Sequence, residues 1–129
     1  TRLPRSFFMQ TYEQGSFEKR GLRDYLSYRD LGIAKKTDGA ILAHIIRAEG
    51  GAYQGSGEWH HHILDDQFVY VLQGWANVQF EGQDPVCVKE GTCFYQPSEI
   101  KHAFLACSVD FEALEICLPA EFETISSGG

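Results

Sequence analysis

An all-β sandwich or barrel is the fold class this sequence predicts, and three observations carry the prediction. Short segments rich in β-branched and aromatic residues recur at spacings of about 8–12 residues. Thirteen glycines and four prolines punctuate them as turn signals. Helix signals are poor after residue 40.

Taken in chain order, the first twenty residues give no clear element and are expected to lie along the barrel or reach a partner subunit. Residues 25–31 read as a strand or as a turn of helix. Residues 41–48 (ILAHIIRA) are apolar nearly throughout and end at Gly50-Gly51. Residues 67–73 (QFVYVLQ) end at Gly74, and residues 77–80 follow with Glu81-Gly82 as a turn. Residues 86–88, 92–96, 102–106 and 111–118 complete the series. The tail SSGG reads as a disordered end. One domain spanning 1–129 is expected, with a core barrel over about 40–118 and an N-terminal extension, 1–39, that covers the barrel or a partner.

Composition narrows the function classes. A chain of 129 residues is long enough to bury one core. Its 43% hydrophobic and 13% aromatic content is that of a folded globular protein. No apolar run approaches the roughly twenty residues a bilayer needs, so no membrane is expected as a partner. Eleven basic against eighteen acidic side chains give a net charge of −7. With the basic residues scattered, this argues against a nucleic-acid surface. The start, TRLPRSFFMQ, lacks the apolar stretch of a signal peptide, and a cytoplasmic location is expected. Cys87, Cys93, Cys107 and Cys117 have no zinc-knuckle or redox spacing and are expected as buried free thiols.

Chemistry concentrates in EWHHHILDDQFVYVLQGW, residues 58–75. If His60-His61-His62 enters a sheet extended, His60 and His62 project to one face and His61 to the other. Neighbours on one face are about 7 Å apart, so both imidazoles can reach one metal at about 2.0–2.1 Å per bond. Gln67 opens the next apolar run and shares a face with Val69 and Val71. Far along the chain, His102 opens another strand, sharing a face with Phe104 and Ala106. Spacing alone leaves two readings: a metal site, or solvated histidines with a surface or core histidine at 102.

The arrangement resembles the cupin superfamily in two motifs. The first there has the form HxH, three or four residues, Glu, six residues, Gly; here it reads His60-x-His62, four residues, Gln67, six residues, Gly74. The second has Gly, five residues, Pro, x, Gly, two residues, His; here it reads Gly91, five residues, Pro97, x, Glu99, two residues, His102. YRDLG, residues 28–32, with Gln in the Glu position, is similar to a subgroup of small bacterial cupins. The resemblance covers about residues 40–118. It implies a double-stranded β-helix, or jelly roll, holding one divalent transition metal ion (Fe, Zn, Ni or Mn) near one mouth. His60, His62 and His102 would be the imidazole ligands, and Gln67 would stand in the carboxylate's place.

Two positions depart from the pattern: Glu99 replaces a loop-tip glycine, and Gln67 replaces a carboxylate. An amide cancels none of the metal's charge, so such a centre should favour anionic ligands and acidify bound water. Gln67 either ligates directly or hydrogen-bonds a bound water.

Three further pocket candidates are His44, Phe104 and Glu115. His44 can be a fourth imidazole, an acid–base group or a satisfied core histidine. Phe104 is the best placed aromatic for a substrate wall. Glu115, in FEALEICLP, lies either at the sheet surface or at the pocket as a general base. What the resemblance implies is a metal-dependent enzyme, most readily a dioxygenase acting on a small enolisable or anionic molecule. The alternatives are a non-catalytic ligand-binding protein and a metal-dependent isomerase or cyclase. A homodimer is expected, because edge strands of an open jelly roll need cover.

Overall fold

The computed structural model describes residues 5–19, 25–49, 53–54 and 58–127. Its strands are β1 (Leu26–Asp30), β2 (Leu42–Ala48), β3 (Tyr53–Gln54), β4 (His60–Ile63), β5 (Asp66–Gln73) and β6 (Trp75–Phe80). There follow β7 (Val86–Lys89), β8 (Cys93–Tyr95), β9 (His102–Cys107), β10 (Glu112–Leu118) and β11 (Glu123–Ser126). They form two antiparallel sheets, one in the order β1-β2-β10-β5-β8, the other β11-β4-β9-β6-β7 with β3 also on β9. This is the double-stranded β-helix that the sequence led us to expect.

Alternation along the strands decides what faces inward. On β5, Gln67, Val69 and Val71 are buried while Phe68, Tyr70 and Leu72 are exposed. Those valines pack with Ala76, Val78, Val88, Cys107, Phe111 and Ala113 from both sheets as the apolar core. Gly74, between β5 and β6, has φ +72°, and a Cβ there would collide with the Ser108 Oγ. Glycine is required at that turn on both counts.

Within residues 25–31, Leu26–Asp30 form strand β1, paired antiparallel with β2 from Leu26↔Ala48 to Asp30↔His44. A single helical turn, α1 (Ile33–Lys36), follows and was not expected from the sequence. The Asp30 carboxylate accepts from the Gly32 N–H at 2.8 Å to start it, and the Thr37 hydroxyl donates back to the Ile33 carbonyl at 2.9 Å to end it. The segment before β1 runs alongside it: Glu18 bridges to Tyr28, and the Arg29 guanidinium donates to the Thr11 carbonyl at 2.8 Å.

Several expectations need correction. Of the tail expected to be disordered, Ser126 ends β11, which pairs with β4 through Ser126↔His60 and Thr124↔His62, and residues 128–129 lie outside the described residues. None of the four cysteines is in a disulfide, and Cys107 and Cys117 are buried whereas Cys87 and Cys93 are exposed. Cys87 and Cys93 lie on the outer faces of β7 and β8, where Val88 and Phe94 take the inward places. Ala106 does not share the inner face with His102 and Phe104. The β6–β9 register shifts between Asn77↔Ala106 and Val78↔Phe104, and this bulge brings Cys107 to the core instead.

Candidate metal centre

Register brings the three histidines together. β4 and β9 pair so that His60 and His102 are direct cross-strand partners, the closest approach two side chains on neighbouring strands can have. His62 lies two residues on, on the same face. The ring centroids stand 4.2 Å apart for His60 and His102, and 5.0 Å for each of the other two pairs. One nitrogen from each ring lies within 4.8 Å of the others. His60 and His102 are buried, and His62 is half-buried against the Phe122 ring.

The hydrogen bonds behind these rings fix their chemistry. His60 Nδ1 faces the Glu58 carbonyl at 3.1 Å, and His102 Nδ1 faces the Ile100 carbonyl at 2.9 Å. A carbonyl can only accept, so both Nδ1 atoms carry hydrogen and both Nε2 atoms present lone pairs. His62 Nδ1 is held by the Thr124 hydroxyl at 2.8 Å. Outer partners that set the tautomer are the usual support of imidazoles that ligate a metal. The donor set therefore fits a single divalent transition ion. Gln96, buried at 6% exposure, hydrogen-bonds His102 Nε2 at 3.3 Å. An ion held by His102 would take over the lone pair that this amide engages.

The other candidates form a second cluster on the opposite sheet. Glu115 on β10 pairs directly with His44 on β2 and sits diagonally from Gln67 on β5. His44 Nε2 and Glu115 Oε1 are 2.6 Å apart, and Gln67 Nε2 donates to Glu115 Oε2 at 2.8 Å. The carboxylate is thus gripped from both neighbouring strands, with its side chain only 15% exposed. Burial pushes the Glu115 carboxyl up. The hydrogen bond and charge of His44, the hydrogen bond of Gln67 and the charge of His62 outweigh it, and the net shift is downward. Gln67 brings no charge of its own, yet an ionised carboxylate stands directly behind its amide. The cavity charge is therefore less one-sided than the amide alone suggests.

Both clusters open onto one cavity of about 490 Å³ between the sheets. Its walls are mostly apolar, with Val69, Val78, Phe80, Phe94 and Phe104 among them. Phe104 packs against Phe111 and Tyr25, at 5.7 and 5.9 Å between centroids. His61 points the other way and bonds the Ser127 hydroxyl at 2.6 Å. Sequence reasoning missed Thr124, because β11 has no apolar alternation to announce a strand. Glu99 adopts φ +63°, the left-handed conformation that suits glycine, and its N–H still donates to the His62 carbonyl at 3.0 Å.

Fold and site together define a metal-binding β-barrel with an interior small-molecule pocket. The cupin domain family matches residues 49–117, more than half the chain, and the protein belongs to the cupin superfamily. No curated protein matches the sequence. Among solved structures the chain is similar to KdgF from Halomonas sp., with 18% identity, TM-score 0.69, and 88% of this chain and 96% of that one covered. It is similar to an RmlC-like cupin from Shewanella frigidimarina, with 20% identity, TM-score 0.68 and coverage of 91% and 95%. The polyketide cyclase RemF from Streptomyces resistomycificus aligns at 13% identity and TM-score 0.75, covering 94% of this chain and 85% of that one. At such identities the likeness is one of fold.

Proposed function

We propose that this cupin is a metal-dependent enzyme acting on a small enolisable or anionic organic molecule, as a dioxygenase. The observation that carries this reading is three imidazoles opening onto an apolar cavity of about 490 Å³. A divalent ion bound there would supply Lewis acidity toward a ligand oxygen and, if iron, a redox couple for dioxygen. His60, His62 and His102 would hold it. Gln67, with its Nε2 committed to Glu115, offers Oε1 as a further donor. The apolar wall, Phe104 included, excludes water from the reacting molecule and strengthens its electrostatic contacts.

A second reading, a metal-dependent isomerase or cyclase, draws support from one observation. His44 and Glu115 place a buried imidazole–carboxylate pair at the cavity, and such a pair suits proton transfer. Oxygen uptake by Fe(II)-loaded protein across diketones, catechols and thiols separates the readings. Uptake abolished in His62→Ala supports the dioxygenase. Substrate turnover without oxygen consumption supports the isomerase or cyclase. Tight binding with no turnover by any metal form overturns both in favour of a ligand-binding protein.

We also propose a homodimer in the cytoplasm. The outer face of the five-stranded sheet carries apolar cross-strand rows, Ile45–Leu114–Tyr70 and Ile116–Phe68–Tyr95, in which Phe68, Tyr70 and Tyr95 are exposed. A second copy covering them would bury that area. Light scattering on a sizing column checks this: a dimeric mass that Tyr70→Glu halves supports it, and a monomeric wild type overturns it.

A further inference from the structure

Gln96 stands beside Gln67 on the cavity wall. Pairing of β8 with β5 sets Tyr95 opposite Phe68, and one residue further the Gln96 N–H donates to the Gln67 carbonyl at 2.9 Å. Both side chains are buried and line the cavity. A buried amide must place its donors. Gln67 Nε2 donates to Glu115, whereas Gln96 reaches toward the other sheet and donates from Nε2 to His102 Nε2 at 3.3 Å. The direction of that bond is fixed, because His102 Nδ1 donates to the Ile100 carbonyl and leaves Nε2 bare.

That lone pair is the one His102 would offer to an ion, so ion and amide exclude each other there. Displaced from it, the Gln96 NH₂ would remain beside the centre among aromatic rings. The Phe80 ring lies 5.9 Å from the His102 ring and 6.0 Å from the Phe94 ring between centroids, and all three residues line the cavity. Such rings accept hydrogen bonds weakly, and a buried donor left without an acceptor is costly. Gln67 Oε1 is directed to the ion in the reading above. The acceptor left for Gln96 is an oxygen carried by the ion.

We propose that Gln96 is the specificity residue of the metal centre, donating a hydrogen bond from Nε2 to the oxygen through which a ligand binds the ion. This rests on the metal-dependent reading above and narrows its substrate class. An anionic oxygen on a metal keeps lone pairs for the amide. The nitrogen of a neutral heterocycle has none left, and sulfur accepts weakly. The favoured ligands are therefore carboxylates, enolates and phenolates, with thiols and amines disfavoured.

Zinc-loaded protein tests this with two probes: benzoate, which binds a metal through oxygen, and imidazole, which binds through a nitrogen with no spare lone pair. Gln96→Leu removes the donor at similar volume. Calorimetry should show benzoate binding about tenfold more weakly to this variant, the scale of one hydrogen bond to a charged group, with imidazole and zinc affinities unchanged. A second readout uses wild type alone. In ¹H–¹⁵N spectra one side-chain amide proton of Gln96 should move downfield when benzoate joins the zinc form, and should not when imidazole does. Benzoate affinity that Gln96→Leu leaves intact, or equal losses for both probes, overturns the Gln96 assignment alone. So does a fall in zinc affinity with the ratio of the two probes unchanged, since the amide would then be one of the ion's own ligands. A wild type that takes up no zinc, or takes it up and binds neither probe, overturns the metal-dependent reading and this inference with it.

Discussion

Glu115, one of the pocket candidates, lines the cavity against the local apolar alternation of its strand. In FEALEICLP the row Leu114, Ile116 and Leu118 is the more apolar, so alternation alone would turn it inward and send Glu115 to solvent. The opposite holds, because inward Glu115 meets two polar partners, His44 and Gln67, that no local pattern pairs with it. Its carboxyl sits below its ordinary value of 4.5 in the folded state. A depressed folded value means that the pairing stabilises the fold fully above the unfolded value and is lost as pH falls through the folded one. Urea midpoints of metal-free protein should therefore drop more steeply below about pH 4.5 in wild type than in Glu115→Gln. Equal slopes would mean that the pairing contributes nothing. The i, i+2 spacing of His60 and His62 placed both on one face but left solvated histidines as an equal reading until the family motif was matched. His102 was legible only through the second motif, since cross-strand register is not written in local sequence.

Strands and turns were legible where alternation or glycine announced them. The β5–β6 turn is the clearest case. Gly74→Ala combines a strained backbone with a clash against Ser108 and a 2.7 Å approach to Asp110 Oδ1. Gly82→Ala has a similar φ but open space. We expect Gly82→Ala to cost about 1 kcal/mol and Gly74→Ala roughly 2–4 kcal/mol, read from chemical denaturation midpoints. The strand β11 was illegible because all four of its residues are exposed and it contributes no core face. Its role is to present Thr124 to His62. Thr124→Val keeps the shape and removes that hydrogen bond, and should weaken metal affinity by about tenfold or more in competition with a chromophoric chelator. Unchanged affinity would show that His62 needs no such support.

At the scale of the whole molecule, two sheets each contribute one half of the site. The sheet containing β4, β9 and β11 supplies the three imidazoles. The sheet containing β2, β10 and β5 supplies His44, Glu115 and Gln67. Closure of the double-stranded β-helix is what makes them neighbours around one cavity, and this is why a fold-level resemblance was needed before the site could be read. The most direct test is the metal content of protein purified without a polyhistidine tag, by elemental analysis after dialysis against a divalent-metal mixture. One equivalent of a transition metal per chain in wild type, and almost none in a His102→Ala variant with an unchanged far-ultraviolet spectrum, is the predicted result. Equal metal in both proteins, or none in wild type, would contradict the account.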